Sequence, residues 1–103
     1  NQADLIAHLI AEEMSLGDMM TLQMLRRGNY SVVEEKICPT ARANGKAIKD
    51  LKLPDQCNIA AVLRDGKLII PHEDLVFQPA DEVLAIVHQS QKKELARFFD
   101  RVA

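Results

Sequence analysis

The stretch Asn58-Ile59-Ala60-Ala61-Val62-Leu63-Arg64-Asp65-Gly66-Lys67-Leu68-Ile69-Ile70-Pro71 decides how this chain folds. Two runs rich in branched apolar side chains flank Asp65-Gly66, a dipeptide whose tolerance of left-handed backbone suits a two-residue type I′ turn. The stretch therefore predicts an antiparallel hairpin with strands over 58–64 and 67–71. Downstream lies a polar loop carrying Pro71, His72, Glu73 and Asp74, then Leu75, Val76 and Phe77, then a turn over Gln78, Pro79, Ala80 and Asp81. The unbroken apolar run Val83 to Val87 within Glu82 to His88 has the pattern of a central strand buried on both sides. Ser90 is placed to N-cap a last helix from Gln91 to about Arg101, with Leu95, Phe98 and Phe99 on its buried face.

Upstream of the hairpin, Ala41 to Leu51 reads as a helix through Ala43, Ala47, Ile48 and Leu51. Gly45 is expected near its start or where another backbone comes close. Pro39 and Thr40 end the element before it, because proline donates nothing to a sheet ladder. Over 19–37, Met20, Leu22 and Met24 alternate with polar residues as an exposed strand does. Gly28-Asn29 and the following Tyr30-Ser31-Val32-Val33 then predict a second hairpin. Before it, Leu5, Ile6, Leu9, Ile10 and Met14 recur at three- and four-residue steps and predict an amphipathic helix from Ala3 to Met14. The order helix, hairpin, helix, hairpin, strand, helix makes an α+β domain: a small antiparallel-rich sheet with two flanking helices, preceded by an N-terminal connector helix. Residues 1–18 read as that connector and 19–103 as the domain. The start at Asn1, directly before a helical pattern, reads as a piece cut from a longer protein.

A chain of 103 residues has room for one core, and its 48% apolar content is globular. The absence of tryptophan and the net charge of -2 argue against stacking platforms or phosphate-holding fields, so no nucleic acid is expected as a partner. No apolar run approaches the ~20 residues that cross a bilayer, so direct membrane insertion is not expected and a cytoplasmic setting is. Cys38 and Cys57 lack metal-ligand spacing and read as reduced, buried thiols.

From about Tyr30 to Phe99 the chain resembles the TrkA C-terminal family, the C-terminal lobe of RCK proteins. The resemblance rests on Pro39, Gly45-Lys46, Ile48, Leu51, Leu53-Pro54, the strand Ile59 to Leu63, Arg64-Asp65-Gly66, Ile70-Pro71, Asp74 and the strand Asp81 to Val87. It departs at Ala80, where the family has glycine, so a turn that avoids positive φ at Ala80 is expected. The resemblance implies a cytoplasmic, ligand-sensing and dimerising (or more highly oligomeric) regulatory domain of a TrkA-type potassium uptake system, with a membrane transporter subunit as partner. The same module regulating a cation/proton antiporter or an anion carrier is the alternative. NAD(H) or ATP is expected only in a Rossmann lobe outside this chain, since no Gly-x-Gly-x-x-Gly occurs here. The resemblance also implies a cyclic dinucleotide ligand held between two copies by Arg64, Ile69, Ile70, Pro71 and His72. Arg64 paired on the surface with Asp65 or Glu73 is the purely structural alternative.

No catalytic or metal site is expected. Asp4, His8 and Glu12 at four-residue steps read as a solvated helix face. His72-Glu73-Asp74 reads as a polar turn that leaves room for a weak ligand contact, and His88 as a partly buried strand end. The cysteines and Ser15, Ser31 and Ser90 have no base or nucleophile elbow beside them. A small enzyme using His8 or His72 with a carboxylate is the remaining, weaker reading.

Overall fold

The computed structural model describes residues 19–101. The connector helix expected within 1–18, and with it Asp4, His8 and Glu12, lies outside the described residues. Five strands, β1 Met20–Leu25, β2 Tyr30–Lys36, β3 Cys57–Arg64, β4 Lys67–Ile69 and β5 Glu82–His88, form one sheet in the order β1-β2-β5-β3-β4. Every neighbouring pair is antiparallel. One helix, α1 Lys92–Phe99, follows β5. This is the α+β architecture expected from the sequence.

The deciding hairpin forms as predicted. Arg64 pairs with Lys67, and Asp65 and Gly66 between them sit at φ 52° and 76°, the positive pair a type I′ turn requires. The first hairpin also forms, but its turn spans four residues rather than centring on Gly28-Asn29. Leu25 pairs with Tyr30, and Arg26, Arg27 and Gly28 all take positive φ before the Asn29 N–H closes on the Arg26 carbonyl at 3.2 Å.

One face of the sheet carries the core. Val33, Val62, Val83, Ala85 and Val87 pack there against Leu95 and Phe99 of α1 and against Ile37, Ala43, Leu75 and Phe77. Phe77 and Phe99 meet edge to face with ring centres 5.7 Å apart. Glu35, facing inward between Val33 and Ile37, is buried with them. β5 is indeed central, but it is not buried on both sides: Leu84 is half-buried and Ile86 exposed, because among the described residues only one layer covers the sheet. Val32, Leu84, Ile86, Ala61, Leu63 and Leu68 fall on this open side by register.

Three local expectations are corrected. Ala41 to Leu51 is not a helix; it holds a single 3-10 turn, Ile48–Asp50. Gly45 at φ 78° breaks the helical path. The segment's amides bond outward instead, from Ala43 to the Phe98 carbonyl (2.9 Å), from Gly45 to Phe77 (2.8 Å) and from Ile48 to Leu75 (2.9 Å). Together with Cys38 N–H on the Phe99 carbonyl (3.2 Å), the Ala43 bond also occupies carbonyls that α1 leaves open at its C-terminus. Second, Ala80 does adopt positive φ, 67°. The turn is over-determined, with Ala80 N–H on the Ile37 carbonyl (2.9 Å), Asp81 N–H on Gln78 (3.1 Å) and Ile37 N–H on Asp81 (2.9 Å). Third, Ser90 does not cap α1. It lies inside a 3-10 turn, Gln89–Gln91, and its own N–H donates to His88 Nδ1 at 3.1 Å.

Candidate functional site

The sheet displays the five predicted site residues in different ways. Arg64 stands at the turn end of β3, Ile69 packs against the core from β4, and Ile70 beyond it is 71% exposed. Pro71 and His72 run back alongside the start of β3, where they line a depression of about 260 Å³ with Ile48, Leu53, Cys57 and Ile59. Strand geometry separates Arg64 from that depression: five steps along β3, at roughly 3.3 Å each, lead from Ile59 to Arg64. The structure thus groups Pro71 with His72, leaves Ile70 in solvent next to them, and places Arg64 elsewhere.

Arg64 is committed to a partner the sequence did not nominate. Its Nε and Nη2 donate to Asp81 Oδ1 and Oδ2 at 2.9 and 2.8 Å, and Nη2 also reaches the Val76 carbonyl at 3.0 Å. Asp81 is fully buried, and its Oδ2 accepts the Gln78 N–H at 2.9 Å as well. The pair ties the end of β3 to the start of β5, and this geometry lies 17 positions apart in sequence, out of reach of local motif reading. Neither Asp65 nor Glu73 is the partner.

His72 Nδ1 accepts the Asp74 N–H at 3.2 Å, so in the neutral ring the proton resides on Nε2, a donor available to a ligand. Asp74 in turn pairs with Lys49 at 2.8 Å. Cys57 lines the same depression half-buried, and burial pushes its thiol up to about 11, which keeps it protonated and unreactive at neutral pH. Cys38 and Cys57 are both free. On the open side, Glu34 is raised above its ordinary value by burial first and by neighbouring Glu82 second, with Lys36 opposing. His88, half-buried at the end of β5, meets the Tyr30 ring edge to face at 5.0 Å. Among the described residues no group of three or more His, Cys, Asp or Glu side chains could hold a metal ion, and no helix is long and apolar enough to cross a membrane.

The sheet with its single following helix is the fold of RCK C domains. The chain aligns with the RCK domain of GsuK at TM-score 0.73 and 17% identity, over 98% of its own length and 22% of that chain. It aligns with the RCK C domain of the potassium transport protein KtrA, solved in complex with cyclic diadenosine monophosphate, at TM-score 0.56 and 24% identity, covering 93% and 96%. The model of the TrkA-C domain matches residues 32–100, and the chain belongs to that family. It is 29% identical over 93 residues to the Trk system potassium uptake protein TrkA of Mycobacterium tuberculosis, covering 90% of this chain and 42% of that protein. Over 70 residues it is 36% identical to a TrkA homologue of Archaeoglobus fulgidus, covering 68% of this chain and 16% of that protein. The chain therefore spans less than half the length of these relatives.

Proposed function

We propose that this chain is the ligand-sensing, self-associating regulatory domain of a Trk-type potassium uptake system and catalyses no reaction. The observation that carries the reading is the corner where β4 ends. Ile70 lies in solvent beside Pro71 and His72, an apolar shelf edged by an imidazole donor, on a chain whose residues 32–100 match the TrkA-C domain. An apolar shelf holds a purine face and an Nε2–H reaches a phosphate oxygen, so the ligand class is a cyclic dinucleotide. Such a ligand has two equivalent halves, and two copies of the chain meeting about a two-fold axis present the shelf twice. Exposed Leu68 and Ile70 supply the apolar contact between copies. Ile69 anchors the strand in the core, and Arg64 fixes the other end of the hairpin through Asp81 as a positioning residue.

In the longer protein, this domain reports to a membrane potassium transporter subunit from the cytoplasmic side, with NAD(H) or ATP held by an attached Rossmann lobe. Occupancy alters transport only through different affinities for two arrangements of the dimer.

Calorimetry with cyclic diadenosine monophosphate, combined with sedimentation, tests the reading. One ligand per two chains with ligand-driven dimerisation is expected. Ile70→Asp and His72→Ala should each weaken binding about tenfold or more, the loss of one buried apolar side chain or one good hydrogen bond. A strict monomer at high micromolar concentration that takes up no ligand would overturn it.

A further inference from the structure

The two edges of the sheet are built differently. β4, at one edge, is three residues long, opens on Lys67 and is soon followed by Pro71, which is how soluble proteins keep an edge from pairing with other chains. β1, at the other edge, runs for six residues, Met20-Thr21-Leu22-Gln23-Met24-Leu25, without a charge or a proline. Among the described residues a strand lies on only one side of it, so alternate backbone N–H and C=O groups face outward. Thr21 to Met24 are exposed, Leu22 at 41% and Met24 at 60%. A bulge between Thr21 and Gln23 interrupts the edge at its start, and Gln23, Met24 and Leu25 beyond it pair in register with Val32, Ser31 and Tyr30.

This uncharged strand is framed by cations. Arg26 and Arg27 follow it directly and, with Asn29, line a depression of about 410 Å³. Near its start, Lys92 Nζ donates to Thr21 Oγ1, which leaves the ammonium further donors for a carboxylate, and Lys93 lines a depression of about 360 Å³ with Met19 and Ala96. Neither 19–33 nor 83–93, the two stretches that supply these four cations, contains an Asp or Glu. Among the described residues none of the four is paired with a carboxylate, whereas Lys36, Lys49 and Arg64 are. Register sets Glu34 opposite Met20, one strand in, and Lys36 two positions on offsets its charge.

These features select the occupant. A second copy laid antiparallel along β1 would set the four cations of one molecule against those of the other, which opposes pairing. A lipid surface supplies phosphates but no row of backbone groups, and an open sheet edge does not enter hydrocarbon. An extended acidic segment meets both demands, because its backbone continues the ladder and its carboxylates reach the cations. We propose that β1 is the docking edge for an extended acidic segment of a partner protein, which adds a sixth strand to the sheet. Apolar side chains of that segment cover Leu22 and Met24, and its carboxylates meet Arg26, Arg27, Lys92 and Lys93. The edge lies across the sheet from the strand that leads into the Ile70-Pro71-His72 corner, so this proposal goes beyond the ligand-sensing reading and either can fail without the other.

The probe is a capped six-residue peptide of alternating glutamate and valine, titrated into the whole 103-residue chain and followed by backbone NMR and hydrogen exchange. At saturation it is expected to slow exchange at the outward-facing amides of 22–25 about tenfold or more, and its binding should weaken as salt rises. The same peptide with all its amides N-methylated keeps its charge, loses the ladder and should fail to bind. The double variant R26E/R27E should weaken binding about tenfold or more while β5 amides stay protected, and should turn the preference toward the lysine-valine counterpart. No binding to the unmodified chain would overturn the proposal, as would equal binding of the lysine-valine or the N-methylated peptide. So would protection of the same amides only on phosphatidylglycerol vesicles, which gives the edge to a membrane, or only at rising concentration of the chain alone, which gives it to a second copy.

Discussion

Arg64 and Asp81 meet through two parallel hydrogen bonds of 2.9 and 2.8 Å, the carboxylate wholly buried and the guanidinium one-quarter exposed. Two-pronged geometry of this kind fixes orientation as well as distance, which lysine cannot do. The pair links the end of β3 to the residue that leads into β5, at the end of the sheet where the hairpin turns, and its carboxylate also holds the Gln78–Asp81 turn by accepting the Gln78 N–H. It adds a side-chain tie to the backbone ladder that already joins β3 to the central strand β5.

Removing one partner leaves the other unsatisfied. Asp81→Ala is expected to destabilise the fold by about 2–4 kcal/mol, the low side of a fully buried pair because Arg64 retains some water. Arg64→Lys, keeping the charge and losing one prong, should cost about 1–2 kcal/mol. Urea unfolding at unchanged slope gives both values; equal stability of Asp81→Ala and the parent would refute the role assigned to this pair.

Ala80 at φ 67° is held in a conformation that an L side chain resists, and Gly45 at φ 78° is where a glycine already relieves it. Ala80→Gly should stabilise by about 0.5 kcal/mol, the strain of ~1–2 kcal/mol released less the added freedom of the unfolded chain. Gly45→Ala should destabilise by ~1 kcal/mol or more through backbone strain alone, since a Cβ there meets nothing within 4 Å. Thermal midpoints moving in opposite directions for the two variants is the expected outcome.

Glu34 is raised from 4.5 by burial and by Glu82. The folded state therefore binds this proton more tightly than the unfolded state does. The stability Glu34 contributes is fully present below its unfolded value and fades as pH rises through the folded one. Glu34→Gln should flatten the fall in stability above pH 4.5 and leave the variant the more stable protein at neutrality. Denaturant midpoints across that interval read the difference, and parallel pH profiles for the two proteins would contradict it.

Cys57, lifted by burial from 9.0 to about 11, has a thiolate population lower than that of an ordinary thiol by about 100-fold at neutral pH. Iodoacetamide should modify it correspondingly slowly in the folded protein and at ordinary rates in urea. Rapid alkylation under native conditions would show that the depression it lines is wetter than its geometry indicates.

Local chemistry made much of the molecule legible. Asp65-Gly66 dictated a type I′ turn because so few dipeptides tolerate two left-handed residues, and the run Val83 to Val87 marked the centre of the sheet. The expected helix over 41–51 failed because its amides found distant carbonyls at Leu75, Phe77 and Phe98, a competition that periodicity does not see. The turn through Ala80 took the conformation disfavoured for alanine because three hydrogen bonds across β2, β5 and their flanks hold it there.

The amino-acid order alone determined that both hairpins form, where the second one reverses, and that Leu95 and Phe99 anchor the last helix, since these depend on neighbours a few residues away. Only the tertiary structure decided that Arg64 belongs to Asp81, that of Glu34 and Glu35 the second faces the core, and that Pro71 and His72 share a depression from which Arg64 is excluded. Those outcomes follow from strand register and from bonds spanning many residues, and a shift of one position in register would exchange the two faces of every strand.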